Sequence, residues 1–200
     1  TCYPVFKKEE IGENIFIDGG VYDNLPINLA ISMGATQIIA VDLKAVGIKQ
    51  KIKENSCDII TITPKNKINS FLVFDKDSSI MAIKCGYNDT MKKFGKLDGN
   101  YYTFKKNNLN KNYIRHNRKF IKNLKNIIET KNKNIASSIL SITSFNKLLE
   151  GDSVKIKKQM DETIEYLGKI FDMDCSNVYD IVIYNSALLG NIGKLNNIKE

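Results

Sequence analysis

Residues 14 to 42 constrain the fold more than any other stretch of the chain. Asn14-Ile-Phe-Ile17 is β-branched and aromatic, which is typical of a strand, and Asp18-Gly-Gly20 interrupts it. Residues 26 to 34 begin with a proline and end with a glycine, which suits a short helix. The apolar run Ile38-Ile-Ala-Val41 is typical of a strand buried on both faces of a parallel sheet. The order strand, helix, strand predicts a β-α-β unit and therefore an α/β fold.

A third strand and a series of helices are predicted further along the chain. Asp58-Ile-Ile-Thr-Ile-Thr63 has the composition of a strand, so we expect a mainly parallel sheet of three strands with helices packed on it. We expect an α-helical C-terminal region to follow from about residue 105. Helical spacing of apolar residues predicts helices near residues 80–94, 113–130, 135–149, 153–172 and 177–189. Ser78 or Ser79 is expected to cap the first of these, and Gly95 to follow its end.

The same spacing predicts which face of three helices is buried. In the first helix, the expected inward residues are Ile80, Ile83, Tyr87, Met91 and Phe94. In the second, they are Phe120, Ile121, Leu124, Ile127 and Ile128, and the expected outward residues are Arg115, Arg118, Lys119, Lys122 and Lys125. In the fourth, the expected inward residues are Met160, Ile164, Leu167 and Phe171.

The net charge of +8 is unevenly distributed. Residues 101 to 135 contain ten Lys and Arg and one acid, Glu129, so this segment has a charge of +9 and the rest of the chain about −1. Three interpretations are open: a solvated helix face, a surface that docks on anionic lipid headgroups, and a nucleic-acid interface. The last is the weakest, because the segment has no nucleic-acid motif and its aromatic residues fall on the expected buried stripe.

Apolar runs and cysteines limit the location of the protein. The longest uninterrupted apolar runs are of strand length, far short of the roughly 18 residues of a membrane span. We expect a cytoplasmic or peripheral-membrane location, with secretion left open because the chain begins at Thr1 without a leader, and we expect polypeptide upstream of it. The four cysteines are widely spaced, which predicts reduced thiols: Cys2, Cys57, Cys85 and Cys175.

Asp18 is the strongest candidate for chemistry. A carboxylate at the end of a strand in an α/β unit lies where the active-site groups of such sheets collect. There it can accept the proton of a serine hydroxyl and return it to the leaving alcohol, while Gly19 and Gly20 let the backbone turn and leave room for substrate. The alternative is that Asp-Gly is simply a turn.

A longer pattern surrounds this aspartate. It is Asp18-Gly-Gly-Val-Tyr-Asp-Asn-Leu-Pro-Ile-Asn-Leu-Ala30, preceded by Cys2-Tyr-Pro-Val-Phe6 and followed by Gly34-Ala-Thr-Gln-Ile-Ile-Ala-Val-Asp-Leu43. The pattern resembles the aspartate region of bacterial patatin-like phospholipases, and the resemblance continues through Ile59-Ile-Thr-Ile-Thr-Pro64, Phe74-Asp75 and Gly86-Tyr-Asn-Asp-Thr90. We interpret residues 1–104 as the C-terminal part of a patatin-like catalytic domain and residues 105–200 as a helical C-terminal region.

The resemblance implies a flattened α/β hydrolase sandwich that cleaves fatty acyl esters of lipids with a Ser-Asp dyad and no cofactor or metal. Asp18 matches the dyad aspartate. The family's serine lies in G-x-S-x-G, after a glycine-rich oxyanion loop, and neither motif occurs between Thr1 and Glu200. The isolated chain is therefore expected to be inactive. The expected partners are the missing N-terminal half of the catalytic domain, a lipid or phospholipid acyl ester and, peripherally, an anionic membrane surface.

Other polar residues are weaker candidates. His116, the only histidine, lies among the cations of the second helix, where a surface role is expected. Asp23 and Asn24 precede the short helix and are expected to cap it. Asp42 ends a strand, but the resemblance gives the catalytic role to Asp18. No P-loop, dinucleotide fingerprint or metal-ligand cluster occurs in the sequence.

Two functions follow from these observations. The leading hypothesis is a lipid acyl hydrolase of which this chain carries only the aspartate. The alternative is a non-catalytic module that docks on an acidic or membrane surface through residues 101–135. An in-frame G-x-S-x-G upstream of Thr1 would favour the enzyme, and its absence the module. If half of the sheet is missing, we also expect an uncovered edge strand and apolar face.

Overall fold

The computed structural model describes residues 7–53, 57–66, 75–106, 115, 118–120, 122–123 and 153–195. The chain divides into two compact units, Thr1–Pro64 and Lys65–Glu200. Each contains strands and helices, which confirms the predicted α/β class. Among the described helices, none combines the length and the apolar character that crossing a membrane requires. The predicted division near residue 104 concerns a family domain and stays a prediction.

The first unit consists of an antiparallel hairpin, a short helix and a parallel pair of strands. In chain order its elements are β1 (Glu9–Ile11), β2 (Asn14–Phe16), a 3-10 turn (Gly19–Val21), α1 (Ile27–Ser32), β3 (Gln37–Val41) and β4 (Asp58–Ile62). β3 and β4 run parallel, with Ile39 opposite Ile60. The second and third predicted strands are therefore neighbours in a parallel sheet.

The first predicted strand does not share that sheet. β2 pairs antiparallel with β1, and within the described residues these two strands form a sheet of their own. The expectation of one three-stranded sheet is therefore corrected. The physical reason is the two-residue loop between Ile11 and Asn14: its first residue, Gly12, has a φ of 63°, which suits a tight hairpin loop. β2 can therefore pair with β1, its neighbour in sequence, and does not need β3 as a partner.

The C-terminal end of α1 matches the prediction. Gly34 has a φ of 90°, which is unfavourable for residues with a β-carbon, and its N–H donates to Ile31 O at 2.9 Å. Ala35 N donates to Ala30 O at 3.1 Å, which completes a Schellman motif. Gly34 therefore ends the helix and directs the chain into β3.

The second unit surrounds a small mixed sheet with helices. In chain order its elements are α2 (Lys76–Lys93), β5 (Leu97–Asp98), β6 (Thr103–Lys105), α3 (Ser153–Ile170), β7 (Val178–Tyr179) and α4 (Ile181–Leu195). β6 is central, antiparallel to β5 and parallel to β7. Helical residues also occur at Arg115, 118–120 and 122–123. The predicted helix at 135–149 lies outside the described residues.

The core of this unit lies between β6 and the inward faces of α3 and α4. Its buried members are Cys85, Tyr102, Phe104, Phe120, Met160, Ile164, Leu167, Phe171, Met173, Cys175, Ile181, Tyr184, Leu188 and Ile192. The predicted inward stripe of α3 is thus confirmed, as is the inward position of Phe120. The inward positions expected for Ile121, Leu124, Ile127 and Ile128 lie outside the residues that the structure describes.

The start of α4 differs from the prediction of a helix from residue 177. Val178 and Tyr179 instead pair with β6, and the helix begins at Ile181. Asp180 precedes it, and its Oδ1 accepts a hydrogen bond from Val182 N at 2.9 Å. A capping aspartate is the sequence signal that marks this boundary.

The start of α2 also differs from the prediction. Asp75, rather than Ser78 or Ser79, caps it, because Asp75 Oδ2 accepts a hydrogen bond from Ser78 N at 2.7 Å. The helix therefore begins at Lys76. Gly95, with a φ of 64°, follows its end as predicted.

The buried face of α2 is not the predicted one, since Met91 alone of the five expected inward residues is half-buried and the other four are exposed. Ile83 is 73% exposed and Tyr87 60% exposed, and Ile80 and Phe94 are exposed as well. The buried residues of this helix are Cys85, Asn88 and Asp89.

The polar side chains of Asn88 and Asp89 can be buried because both have bonding partners. Asn88 Nδ2 donates to Ser176 O at 2.9 Å, and Asp89 accepts from Lys65 N at 3.0 Å and pairs with Lys92 at 3.0 Å.

Candidate functional site

Asp18 lies just after β2 and caps the 3-10 turn. Its Oδ1 accepts a hydrogen bond from Gly20 N at 2.8 Å, and its backbone carbonyl accepts one from Val21 N at 3.2 Å. The carboxyl group is half-buried, and no described residue offers a hydrogen bond or ion pair to Oδ2. One oxygen is thus held in place while the other remains able to accept a proton. Asp18 makes the contacts that a turn requires, and its geometry also suits a general base.

Gly20 gives the Asp18 and Asn24 side chains room to approach the turn. A β-carbon at this position would lie 3.2 Å from Asp18 Oδ1 and 3.1 Å from Asn24 Oδ1, tighter than most such contacts. At Gly19, by contrast, a β-carbon would meet nothing within 4 Å. The second glycine of the Asp-Gly-Gly sequence therefore permits close approach, and the first leaves open space beside the carboxylate.

Residues 45–53, which we call the strap, pack along this turn and along α1. Close to Asp18, Ile48 N donates to Gly20 O at 2.9 Å. Asn24 N donates to Ile48 O at 2.6 Å, and Asn24 Nδ2 donates to Ala45 O at 3.2 Å. The strap thus contacts Gly20, whose N–H bonds to the carboxylate, and Asn24, whose side-chain oxygen borders Gly20.

Asp23 holds the middle of the strap. Its Oδ1 accepts hydrogen bonds from Leu25 N at 3.2 Å and Gln50 N at 3.3 Å. Gln50 Nε2 also donates to Tyr22 O at 3.1 Å. Neither Asp23 nor Asn24 caps α1 as expected, because the N-cap residue is Pro26 and no side chain bonds to the helix there. Both side chains instead connect the Asp18 turn to the strap.

Asn28 holds the far end of the strap. Its Nδ2 donates to Lys51 O at 2.8 Å and its Oδ1 accepts from Lys53 N at 3.0 Å. Sequence reasoning assigned no role to this segment. Its signal is weak, because most of these bonds use backbone atoms and connect residues more than 20 positions apart.

Asp42 also lies at a strand end, but both of its oxygens are engaged. Lys49 Nζ lies 2.7 Å from each, and Lys44 N donates to Oδ1 at 2.8 Å. The hydrogen bond from Lys49, followed by that from Lys44, holds the pKa of the Asp42 carboxyl below its usual value. An anion stabilised in this way is a poor proton acceptor, which fits the structural rather than the catalytic interpretation of Asp42.

A cleft of about 640 Å³ opens beside the Asp18 turn. Its volume lies in the range of ligand pockets. It is lined by residues of the turn, of α1 and of the strap, among them Gly19, Tyr22, Pro26, Leu29, Gln50 and Lys53. The cleft reaches the Asp18 turn at Gly19, but Asp18 itself does not line it.

No described serine of the first unit offers its hydroxyl to Asp18. The one described serine of that unit, Ser32, lies in α1 and donates its hydroxyl proton to Leu29 O at 2.8 Å. His116 lies outside the described residues. No group of three or more His, Cys, Asp and Glu within the described ranges could hold a metal ion. The described residues therefore offer a carboxylate with one unbonded oxygen and a cleft at the same turn, but no Ser-Asp pair.

The three comparisons with known proteins are negative: no family model, no curated protein and no solved structure matches this chain. The likeness to patatin-like phospholipases therefore rests on the sequence pattern around Asp18 alone.

Proposed function

We propose that this chain supplies the general-base aspartate of a patatin-like lipid acyl hydrolase. In this proposal Asp18 activates a serine on polypeptide outside these 200 residues, and the substrate is a fatty acyl ester of a phospholipid or another lipid. The observation that carries the proposal is the geometry of Asp18: Gly20 N–H fixes Oδ1, and Oδ2 is without a partner among the described residues. This arrangement suits a carboxylate that must accept a proton from a defined direction.

The chemistry follows from that geometry. Asp18 Oδ2 accepts the proton of the serine hydroxyl as the serine oxygen attacks the ester carbonyl carbon. When the tetrahedral intermediate collapses, the carboxyl group returns this proton to the leaving alcohol, and an acyl-enzyme remains. The same carboxylate then accepts a proton from water, whose oxygen attacks the acyl-enzyme. When this second intermediate collapses, the carboxyl group returns the proton to the serine oxygen and the fatty acid is released. Gly20 N–H holds the carboxylate in one orientation through these steps.

Uncovered apolar surfaces support the existence of a second polypeptide segment. On the parallel pair β3–β4, Ile39 is 60% exposed and Val41, on the same face, is 55% exposed. Strands of parallel sheets are ordinarily covered on both faces. In the other unit, α2 exposes its apolar stripe around Ile83 and Tyr87. Such surfaces are typical of interfaces, and they agree with packing by the remaining half of an α/β sandwich.

The test compares Asp18 with Asp42 in a longer polypeptide that carries an in-frame G-x-S-x-G. Asp18→Asn keeps the shape of the side chain but removes the proton acceptor, so kcat for a soluble nitrophenyl ester should fall by on the order of 10² with an unchanged Tm. Asp42→Asn is the matched control, because Asp42 also ends a strand but is engaged by Lys49, and kcat should be retained.

Two results would contradict the proposal. Wild-type kcat in Asp18→Asn would remove Asp18 from the mechanism, and activity lost only through a lower Tm would support the simple turn. The isolated chain gives a further check, since it should cleave the ester no faster than buffer does. Turnover by the isolated chain would place the active site elsewhere.

One observation favours a second candidate function, docking on an anionic lipid surface. Phe120 is buried in the core of the second unit, whereas the cations around it are exposed: Arg115, Arg118, Lys119 and Lys122. A segment anchored by an aromatic residue with its cations outward can contact anionic headgroups. The position of Lys125 lies outside the described residues. This docking does not require Asp18 and can accompany hydrolysis or occur without it.

A further inference from the structure

We infer that Asn24 is a positioning residue, which fixes the Asp18 carboxylate by clamping the strap onto Gly20. The catalytic meaning of this role rests on the proposed function, but the clamp itself is a property of this chain. Asn24 makes contacts on two sides. Its backbone and side chain bind the strap at Ile48 and Ala45, and its side-chain oxygen borders Gly20.

The Gly20 peptide is held from both directions. Its N–H donates to Asp18 Oδ1 at 2.8 Å, and its carbonyl accepts from Ile48 N at 2.9 Å. Ile48 is in turn held by Asn24 N, which donates to Ile48 O at 2.6 Å. A path of hydrogen bonds therefore runs from the carboxylate through Gly20 and Ile48 to the Asn24 backbone, and the Asn24 side chain anchors the same stretch of the strap through its bond to Ala45 O. A displacement of Gly20 would turn its N–H away from Oδ1 and free the carboxylate to rotate.

Gly47 allows the strap to approach this closely. A β-carbon at this position would lie 2.9 Å from Asn24 Cγ and 2.9 Å from Gly20 O. Contacts below 3.0 Å essentially never occur, and one of these two partners is backbone, so Gly47→Ala must move the strap, the turn or both. Gly47 and Asn24 are thus complementary parts of one clamp.

Asn28 provides the matched control. It binds the strap with the same type of side chain, but at Lys51 and Lys53, away from Gly20, and it makes two side-chain hydrogen bonds where Asn24 makes one. Removal of the Asn28 amide weakens the strap without touching the Asp18 turn. If Asn24 merely stabilised the strap, Asn24→Ala and Asn28→Ala would have the same effect on Asp18.

The experiment uses the full 200-residue chain and needs no nucleophile. Amide hydrogen exchange and the carboxyl ¹³C resonance of Asp18 are measured by NMR for the wild type, Asn24→Ala, Gly47→Ala and Asn28→Ala. Asn24→Ala and Gly47→Ala should each accelerate exchange at Gly20 and Ile48 at least tenfold and shift the Asp18 resonance. Asn28→Ala should accelerate exchange at Lys53 and leave the Asp18 resonance in place.

Several outcomes overturn the inference. They are an unchanged Asp18 resonance in Asn24→Ala, an equal shift in Asn28→Ala, or a uniform acceleration of all amides of the unit. The inference and the proposed function fail separately. If the NMR results are as expected but Asn24→Ala retains wild-type kcat in the longer polypeptide, the clamp stands and the catalytic role of Asp18 does not.

Discussion

Gly168 of α3 lies so close to Tyr184 of α4 that a β-carbon at position 168 would overlap the Tyr184 hydroxyl oxygen. The Tyr184 ring is fully buried, and its hydroxyl donates to Ile164 O at 3.4 Å. Edge-to-face contacts join this ring to Phe104, at 5.2 Å between centroids, and to Tyr179, at 4.9 Å. The absence of a side chain at Gly168 therefore determines how closely α3 approaches the aromatic core.

Gly168→Ala should destabilise the second unit. Alanine favours a helix by up to about 1 kcal/mol relative to glycine, but overpacking of a core typically costs about 1 to 3 kcal/mol and here affects Tyr102 as well. We expect a net loss of at least about 1 kcal/mol in the free energy of unfolding, measured by urea denaturation. Gly190→Ala in α4 is the control, because a β-carbon there meets nothing within 4 Å, and it should be neutral or stabilising. Equal effects of the two substitutions would contradict the close contact.

The contrast between α3 and α2 shows what the sequence could predict. In α3 the apolar residues at helical spacing, Met160, Ile164 and Leu167, are the buried ones, so the pattern alone identified the inward face. In α2 the same type of pattern identified the wrong face. The reason is that Asn88 and Asp89 are buried through bonds to Ser176 and Lys65, which are distant in sequence. The spacing of apolar residues within a helix carries no information about partners that are distant in sequence.

The candidate site was likewise predictable from the sequence only in part. The position of Asp18 after a strand and before a sharp turn followed from local composition, since the Asp-Gly-Gly sequence specifies both. The packing of the strap did not follow from local composition, because its contacts to Gly20 and Asn24 depend on backbone groups from residues 45 to 48. The antiparallel pairing of β2 was signalled only by Gly12, which fits a tight hairpin loop.

The orientation of α2 can be tested by two substitutions on its opposite faces. Asp89→Asn leaves the Lys92 side chain, 9% exposed, without its anionic partner but with its hydrogen bond to Asn100 O, and we expect a loss of about 1 to 3 kcal/mol in the free energy of unfolding. Ile83→Ser, on the exposed face, should cost the isolated chain less than about 0.5 kcal/mol. A cost of about 2 kcal/mol or more for Ile83→Ser would instead favour the orientation that the apolar stripe predicts.

The end of α3 offers a stabilising substitution. Asp172 has a φ of 49°, a conformation that favours glycine, and the next residue, Met173, donates its N–H to Gly168 O at 2.9 Å, as in a Schellman motif. Asp172→Gly removes the strain and should raise the free energy of unfolding by about 0.5 to 1 kcal/mol. Asp172→Ala removes the same carboxylate but keeps the strain, so it should give no gain. A gain in both would assign the effect to charge rather than to backbone conformation.

Two buried thiols of the second unit should make it sensitive to alkaline pH. Cys85 Sγ and Cys175 Sγ lie 4.0 Å apart, and burial raises the pKa of Cys85 to about 12 and raises the pKa of Cys175 as well. Because an unfolded thiol ionises near its ordinary pKa of 9.0, the unfolded state gains free energy above that pH while the folded state stays protonated. The stability contributed by this shift is complete below about pH 9 and is lost as the pH rises towards 12.

Urea denaturation between pH 8 and pH 11 measures this loss, and Cys85→Ala should make the decline with pH shallower. Alkylation gives an independent check. At pH 8 iodoacetamide should modify the half-buried Cys57 before Cys85 and Cys175, which should react only after unfolding. Rapid modification of Cys85 in the folded chain would show that it is not buried.

The basic segment should bind anionic vesicles if its exposed cations form a docking surface. Each cation near such a membrane contributes up to about 1 kcal/mol, so reversal of Arg115, Arg118 and Lys119 to Glu should weaken binding to vesicles with anionic lipid at least tenfold. The matched control reverses three exposed lysines of the first unit, Lys7, Lys8 and Lys51, and changes the net charge by the same amount. Cosedimentation should show little effect of the control. Added salt should weaken wild-type binding, because the Debye length falls from about 10 Å at 0.1 M to about 3 Å at 1 M.

Equal loss of vesicle binding in the two triple variants would indicate attraction by net charge alone. Equal sedimentation of the wild type with neutral and anionic vesicles would leave the segment as a solvated helix face, and salt-sensitive retention on duplex DNA without vesicle binding would support a nucleic-acid interface instead.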